Sequence, residues 1–558
     1  MKYLLKFFYI GLIILLFTGC KKDFLSFPYT DGNLTIKDIF SSDRNARGFL
    51  NSTYNGLNDR YSLYDGQLLA SGCDEAVSSD VGSANPVVSS RSVNAFNNGS
   101  WSPITVFDAQ YNSMYDFIRR TNIFLENSPT SNIAPRSDID PLRGEAFFLR
   151  AFYHFQLFER YGRIVLATKS FIADESLKNL ERDPVEKVVK QIADDCDSAV
   201  NLIIDSAIVD QGDHKGRATQ TAALALKSRV LLYGASPLLN TANAKDKWVA
   251  AADAARKLIS YNRHSLVPFA DINNIWNFQL RPYNSEVIFG TAAVITNDIE
   301  KNSAPISFDA ARGRNNPTQD LVDAFEMKTG KRITETGSGY DPQNPYANRD
   351  PRLAAFVMYN HTSATIPSRF KNQNVETFTG GKDNKTENIN STVTGYYLRK
   401  FLTESAAWPA TGTQTRIART WVLFRYAEIL LNAAEAINEV DGPTAEALNY
   451  LNQVRTRAQM PAITSVASQS ELRERIYNER RVELCFEEHR FFDVRRWKLG
   501  DLFNKPVRGV KITKNANNTF SYEYVDVDNR VFSEKNYLFP IPQSELNLHP
   551  KIGQNPLW

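Results

Sequence analysis

Cysteine is scarce in this chain, with four in 558 residues, at positions 20, 73, 196 and 485. No CxxC pair and no Cys/His cluster occurs, so the spacings offer no zinc site, and cohesion falls to the hydrophobic core rather than to disulfides. HExxH, a GxSxG elbow and a GxxxxGK[ST] phosphate loop are also missing, which leaves hydrolase and nucleotide chemistry without a motif. A dominant charge is absent too, because 65 Lys and Arg stand against 62 Asp and Glu for a net +3. Nucleic-acid binding rests on neutralising phosphates, so no nucleic-acid partner is expected. The apolar run near the start, Phe7 to Phe17, is too short to cross a bilayer, which takes about 20 residues.

That run follows Lys2 and Lys6 and ends in Phe17-Thr18-Gly19-Cys20. A basic start, a short apolar stretch and small residues before a cysteine describe a lipoprotein leader spanning 1–19, with Cys20 as the lipidated first residue of the mature chain. Phe17 stands where such boxes usually carry leucine. Loss of Lys2 and Lys6 with the leader lowers the net charge from +3 to +1. Acyl chains contribute about 0.8 kcal/mol per buried methylene, enough in combination to hold a soluble domain at a membrane.

Helical periodicity dominates the body. Phe148, Phe152, Phe155 and Phe158 recur at three- and four-residue spacing between Gly144 and Tyr161, and Phe147, Leu149 and Leu157 make that helix apolar on more than one side. Ala218 to Tyr233 and the Trp248-to-Ile259 stretch form one expected pair, divided at Ser236-Pro237. Trp421 to Ile437 and Thr444 to Ala458 form another, with Gly442 as a cap and Pro443 in a first turn. Paired helices with alanines at their contacts resemble tetratricopeptide repeats, without a strict 34-residue period.

Long polar stretches separate the helices: Ser78 to Pro103, Asp271 to Thr318 and Gly337 to Trp408. Short strands are expected at Glu286 to Phe289 and Tyr396 to Phe401. Loops of this length usually carry function when they are ordered.

Near the C-terminus, Glu479-Arg-Arg-Val-Glu-Leu-Cys-Phe-Glu-Glu-His-Arg-Phe-Phe-Asp-Val-Arg-Arg-Trp497 places Arg480, Glu483, Glu487 and Arg490 at helical intervals. On one helix they would form a structural charge stripe, with Val482 and Phe486 turned into the core. The tail from Asn536 to Trp558 is broken by prolines and should run extended over the helices, anchored by Phe539, Ile541 and Trp558. Further motifs are Tyr115 to Glu126, Arg143 to Ala151 and Asn348 to Leu353.

Together with the lipobox, these segments resemble the SusD/RagB family in order and along most of the chain. The resemblance implies a mainly α fold of about four repeat-like helix pairs with long ordered loops, minor β structure and an extended tail. It divides the mature chain into an N-terminal region over 20–280 and a C-terminal region over 281–558, packed as one compact unit. It further implies a non-enzymatic, surface-exposed lipoprotein of the outer membrane of a Bacteroidetes-type cell. Such a protein binds nutrient glycan and delivers it to a SusC-like TonB-dependent transporter; the alternative is a structural lid of that transporter without useful glycan affinity.

In the starch-binding member of the family, sugar-stacking tryptophans follow an Asp-Glu pair resembling Asp74-Glu75. Here Ala76 to Ala84 contains no aromatic residue, so starch is not favoured. Aromatic faces suit the C–H patches of a sugar and placed polar groups suit its hydroxyls. On that chemistry the candidate ligand contacts are Asp80, Arg91, Asn94 and Phe96 from the first long loop and Tyr283, Phe308 and Arg312 from the second. Trp101 reads as structural. Arg91, Arg312 and Arg314 would also suit an acidic glycan, whose carboxylates match the guanidinium fork. A residual enzymatic reading rests on Asp74, Glu75 and Asp80 as a glycosidase acid and nucleophile. No cofactor and no metal ligand is assigned, and a structural calcium ion is left open.

Overall fold

The computed structural model describes residues 34–61, 64, 66–79, 93–105, 108, 110–171, 179–204, 216–276, 284–308, 311–364, 373–409 and 411–558. Cys20 and the leader therefore lie outside the described residues. No helix among the described residues is long and apolar enough to cross a membrane.

The principal helices follow the expected pairing. They are α1 (Asp43–Thr53), α2 (Tyr111–Asn127), α3 (Ile139–Tyr161), α4 (Val185–Leu202), α5 (Gln220–Ala235), α6 (Lys245–Ser260), α7 (Tyr426–Asp441) and α8 (Ala445–Arg457). Each packs against the next in the series, which yields four consecutive pairs in a repeat-like stack. Side-chain caps start several of them: Ser42, Thr219 and Thr444 each accept a backbone N–H of the first turn. Gly442 closes α7 at φ +77°, whereas Pro443 falls before the Thr444 cap rather than inside α8.

α3 is the central element, and its buried side chains surround it, as the all-round apolar sequence implies. Phe155 meets Tyr233 of α5 at 5.5 Å, and Phe148 meets Phe289 at 4.9 Å. A charged group on such a helix must bring its partner with it. Arg150 accordingly holds Asp195 of α4 through two contacts of 2.8 and 2.7 Å.

Between the third and fourth pairs the chain leaves the stack and builds a second core around Trp276, Phe325, Phe356, Trp408 and Trp421. Every sheet among the described residues is two-stranded and antiparallel. The expected strand at Glu286 to Phe289 is present as Val287–Gly290, paired with Val422–Arg425. The helix expected from Trp421 thus begins only at Tyr426, because its first residues complete this strand pair. Tyr396 to Phe401 shrinks to Tyr397–Leu398.

Helix α9 (Gln469–Glu483) carries the charged motif only in part. The chain turns at Leu484 to Glu488, with Phe486 and Glu488 at positive φ, and restarts as α10 (His489–Arg496). The four charges therefore form no single stripe and pair outward. Arg480 reaches Asp493, Arg490 reaches Asp74, and Glu483 is shared by Arg352, Arg425 and Arg457. Arg425 also holds Glu286 and Glu487 at 2.7 Å each, and Lys400 holds Glu487 at 2.6 Å. Burial alone would raise the Glu483 carboxyl, but Arg457, Arg425 and Arg352 outweigh it and hold it well below the usual range. Val482 and Phe486 enter the second core as the sequence implies.

The tail docks on the bundle through buried Phe539 and Ile541, and the Trp558 indole packs edge-on to Trp101 at 5.2 Å. It is extended except for the short helix Gln543–Leu548 and two 3-10 turns. The three cysteines at 73, 196 and 485 are buried free thiols.

Candidate functional site

Two of the long polar segments are drawn together by a pair of three-residue strands, β1 (Ala76–Ser78) and β2 (Asn315–Pro317), with Ser78 opposite Asn315. One residue beyond, Ser79 donates its N–H to the Arg314 carbonyl at 3.1 Å and its hydroxyl to the Gly313 carbonyl at 3.0 Å. Gly313 has φ +58°, and a Cβ there would lie 2.8 Å from the Tyr397 ring, so the close approach requires glycine.

The short helix Asp298–Ser303 supports the same wall. Its Lys301 and Asn302 carbonyls accept the N–H groups of Arg312 and Arg314 at 2.8 and 2.7 Å. The Arg312 guanidinium reaches the Asn302 amide oxygen at 3.4 Å. Asn315 locks the arrangement from below, since its amide accepts from Leu68 N–H and donates to the Gly66 carbonyl and the Ser303 hydroxyl. A third segment arrives when Gln373, at the base of the Ser363–Asn374 hairpin, donates to the Ser307 hydroxyl at 3.3 Å.

The resulting wall carries three cations, with Arg312 exposed and Lys301 and Arg314 half-buried. No carboxylate among the described residues pairs with Lys301 or Arg312. An exposed guanidinium between amide and hydroxyl groups can donate to sugar hydroxyls, or in two-point geometry to a carboxylate.

Of the residues named from sequence, Arg312 stands in this wall. Asp80, Arg91 and Tyr283 lie outside the described residues; Asn94 belongs to the 3-10 turn Val93–Phe96, and its side chain is outside them too. Phe96 and Phe308 are placed differently from expectation, as core residues. Phe96 is 4% exposed, with Trp101 at 4.9 Å, Phe491 at 5.0 Å and Phe539 at 5.7 Å, and Phe308 is fully buried. Neither ring offers a face to solvent, because each gains more from apolar neighbours than an exposed ring would. Trp101 is structural, as read. Lys301 and Asn302 escaped sequence reasoning, since a Lys-Asn step on a short helix carries no signal of its own.

Asp74 and Glu75 do not form an open acid pair. Arg490 grips Asp74 at 2.8 Å on both oxygens and Arg481 adds a contact at 3.0 Å, which outweighs burial and holds that carboxyl well below its usual range. Burial pushes Glu75 up to about 8, opposed by the Phe486 N–H it accepts at 3.1 Å and reinforced by the charge of Asp74. Glu75 is 1% exposed.

Comparison with known proteins agrees with this architecture. Residues 285–558 match the model of the SusD family, and residues 38–232 match a model described as starch-binding associating with outer membrane. A SusD-like protein of Formosa agariphila, P2, is 32% identical over 142 residues, a match spanning 24% of this chain and 25% of that one. A SusD-like protein of Bacteroides fragilis superposes with a TM-score of 0.79 at 26% identity, covering 93% of this chain and 98% of the other. A laminarin-binding SusD-like protein has the same fold, with a TM-score of 0.65 at 20% identity over 93% and 100% of the two chains. The two family models together span most of the described body of the chain, the superposed structures share its helical fold, and the chain belongs to the SusD family.

Proposed function

We propose that this protein is a lipoprotein tethered through Cys20 at the outer membrane, which captures an oligosaccharide and hands it to a SusC-like TonB-dependent transporter. The observation that carries the reading is the meeting of three long loop segments at β1 and β2, where Arg312 faces solvent on a rigid frame. Rigid elements presenting a few polar groups are what a sugar site needs. Asp80, Arg91 and Tyr283 are proposed as further contacts on their chemistry alone. Asp74 and Glu75 are enclosed, so the binding reading is preferred to a glycosidase.

The ligand is a glycan whose identity the family membership leaves open, and laminarin is the first probe because a protein of this fold binds it. Calorimetry of the full chain in detergent against laminarin, soluble starch and polygalacturonate tests the reading. Binding of at least one, weakened by Arg312→Ala without a change in melting temperature, is the expected outcome. A preference for polygalacturonate over its reduced, neutral counterpart would identify the acidic class. No binding to any glycan, or reducing ends released during incubation, would overturn the proposal. Palmitate labelling of the wild type and of Cys20→Ala tests the anchor separately.

A further inference from the structure

The longest strand pair among the described residues joins β3 (Val507–Lys514) to β4 (Phe520–Asp528), and the Val510 N–H ties it to the Thr394 carbonyl at 2.8 Å. Its register puts Tyr524 opposite Val510, Tyr522 opposite Ile512 and Phe520 opposite Lys514. Val510 and Ile512 are buried in the second core. Phe520, Tyr522 and Tyr524 share their face of the hairpin, yet they sit on the outer strand and remain partly open to solvent, with Tyr524 42% exposed. At about 3.4 Å per strand residue, the three rings form a row with steps of about 6.8 Å.

Rings from the 340–378 region continue this row into a surface. Tyr340 shares a hydroxyl contact of 2.6 Å with Tyr524. Tyr346 stands edge-on to Tyr522 at 5.7 Å and stacks on Tyr359 at 4.1 Å. Phe520 meets His361 at 4.8 Å and Phe378 at 5.5 Å. Tyr524 is exposed, while Phe520, Tyr522, Tyr346, Tyr359 and Phe378 are half-buried with one side packed on the second core, so the cluster is half open to solvent.

The edge of this cluster is charged. This surface is bordered by Arg508, which is held by Asp320 and Asp323 and lies 5.9 Å from the Tyr524 ring, and by Lys514 at 5.6 Å from Phe378. Half-open rings with phenol hydroxyls and charged groups at their margins suit the alternating C–H faces and hydroxyls of a saccharide. A straight row of rings suits an extended polymer more than a compact ligand. The surface is also tied to the frame of the first site, since Tyr346 donates to the Tyr396 hydroxyl, which donates to Gln319, two residues after β2.

Resting on the glycan-binding reading, we infer that the aromatic face of the β3–β4 hairpin is a second glycan contact, one that engages long polysaccharide chains and leaves short oligosaccharides to the Arg312 wall. Two linked contacts raise apparent affinity for a polymer without new chemistry at either.

Affinity electrophoresis of the full lipoprotein in detergent, through gels containing laminarin, soluble starch or polygalacturonate, tests this with wild type, Tyr524→Ala and Tyr522→Ala/Tyr524→Ala. Each truncated ring removes one stacking face for a sugar. The double variant should therefore be retained several-fold more weakly by the polymer that retains wild type. Its affinity for a matching trisaccharide and the melting temperature of Tyr524→Ala should stay unchanged. Equal retention of wild type and both variants would overturn the second contact while leaving the glycan reading intact. Normal retention with loss of a co-purifying membrane protein would reassign the face to a protein partner. Failure of every gel to retain wild type would remove the glycan reading itself, and this inference with it.

Discussion

Arg490 places two guanidinium N–H groups on the two carboxylate oxygens of Asp74, each at 2.8 Å, across 416 residues of chain. The fork fixes β1 to the signature region, and Arg481 braces the same carboxylate at 3.0 Å. Removing the anion strands two largely buried cations, which costs about 3–5 kcal/mol. Asp74→Asn should therefore lower the unfolding free energy by that order in urea titration. Arg490→Lys should fall nearly as far, because a point charge cannot reproduce the two-point contact.

Glu75, the next residue, gives stability a pH dependence of unusual sign for a carboxyl. Its folded value of about 8 lies above the ordinary value of 4.5, so the folded state holds the proton more tightly than the unfolded state. Its contribution is complete below pH 4.5 and is lost as pH rises through about 8. Glu75→Gln keeps an acceptor for the Phe486 N–H and carries no charge. Its melting temperature should match wild type near pH 5 and exceed it by several degrees at pH 9. A constant offset across that range would show that Glu75 does not titrate there.

Phe96 should behave as core. Its ring is enclosed by Trp101, Phe491 and Phe539, which join the first polar segment to α10 and the tail. Phe96→Ala is expected to cost about 3–5 kcal/mol of stability. Glycan affinity measured at a temperature where the variant is still folded should change little, which would separate packing from ligand contact.

Gly66 is a backbone requirement of the candidate site. It has φ +79°, and a Cβ would fall 2.1 Å from the Asn302 side chain that holds Arg312. Gly66→Ala should cost about 1–3 kcal/mol and displace Asn302. The measured outcome should be a lower melting temperature together with weaker glycan binding, whereas Gly48→Ala, in α1 with nothing within 4 Å, should leave binding unchanged and slightly raise the melting temperature.

Much of the scaffold is legible in the chain itself. The three- and four-residue recurrence of phenylalanine in α3 reports a helix buried on several sides, and the paired periodicities around 218–259 and 426–457 report hairpins. Local period is what makes these visible. The β3–β4 hairpin carries a local signal too, in the alternation of Phe520 to Asp528 and the Asn-rich turn at 515–518, although it is absent from the expected strands. The break at Leu484 to Glu488 is different, because no residue there forbids a continuing helix. The buried partners of Glu483, Glu487 and Glu75 impose the turn.

Sequence by itself determined the helix pairs, the Gly442 cap, the proline-broken character of the tail and the set of polar segments, since each depends on neighbours along the chain. Tertiary structure alone decided that Phe96 and Phe308 are core while Arg312 is exposed, and that Lys301 and Asn302 stand beside it. Burial depends on what arrives from distant segments, and the strands that assemble this wall join residues more than 230 positions apart.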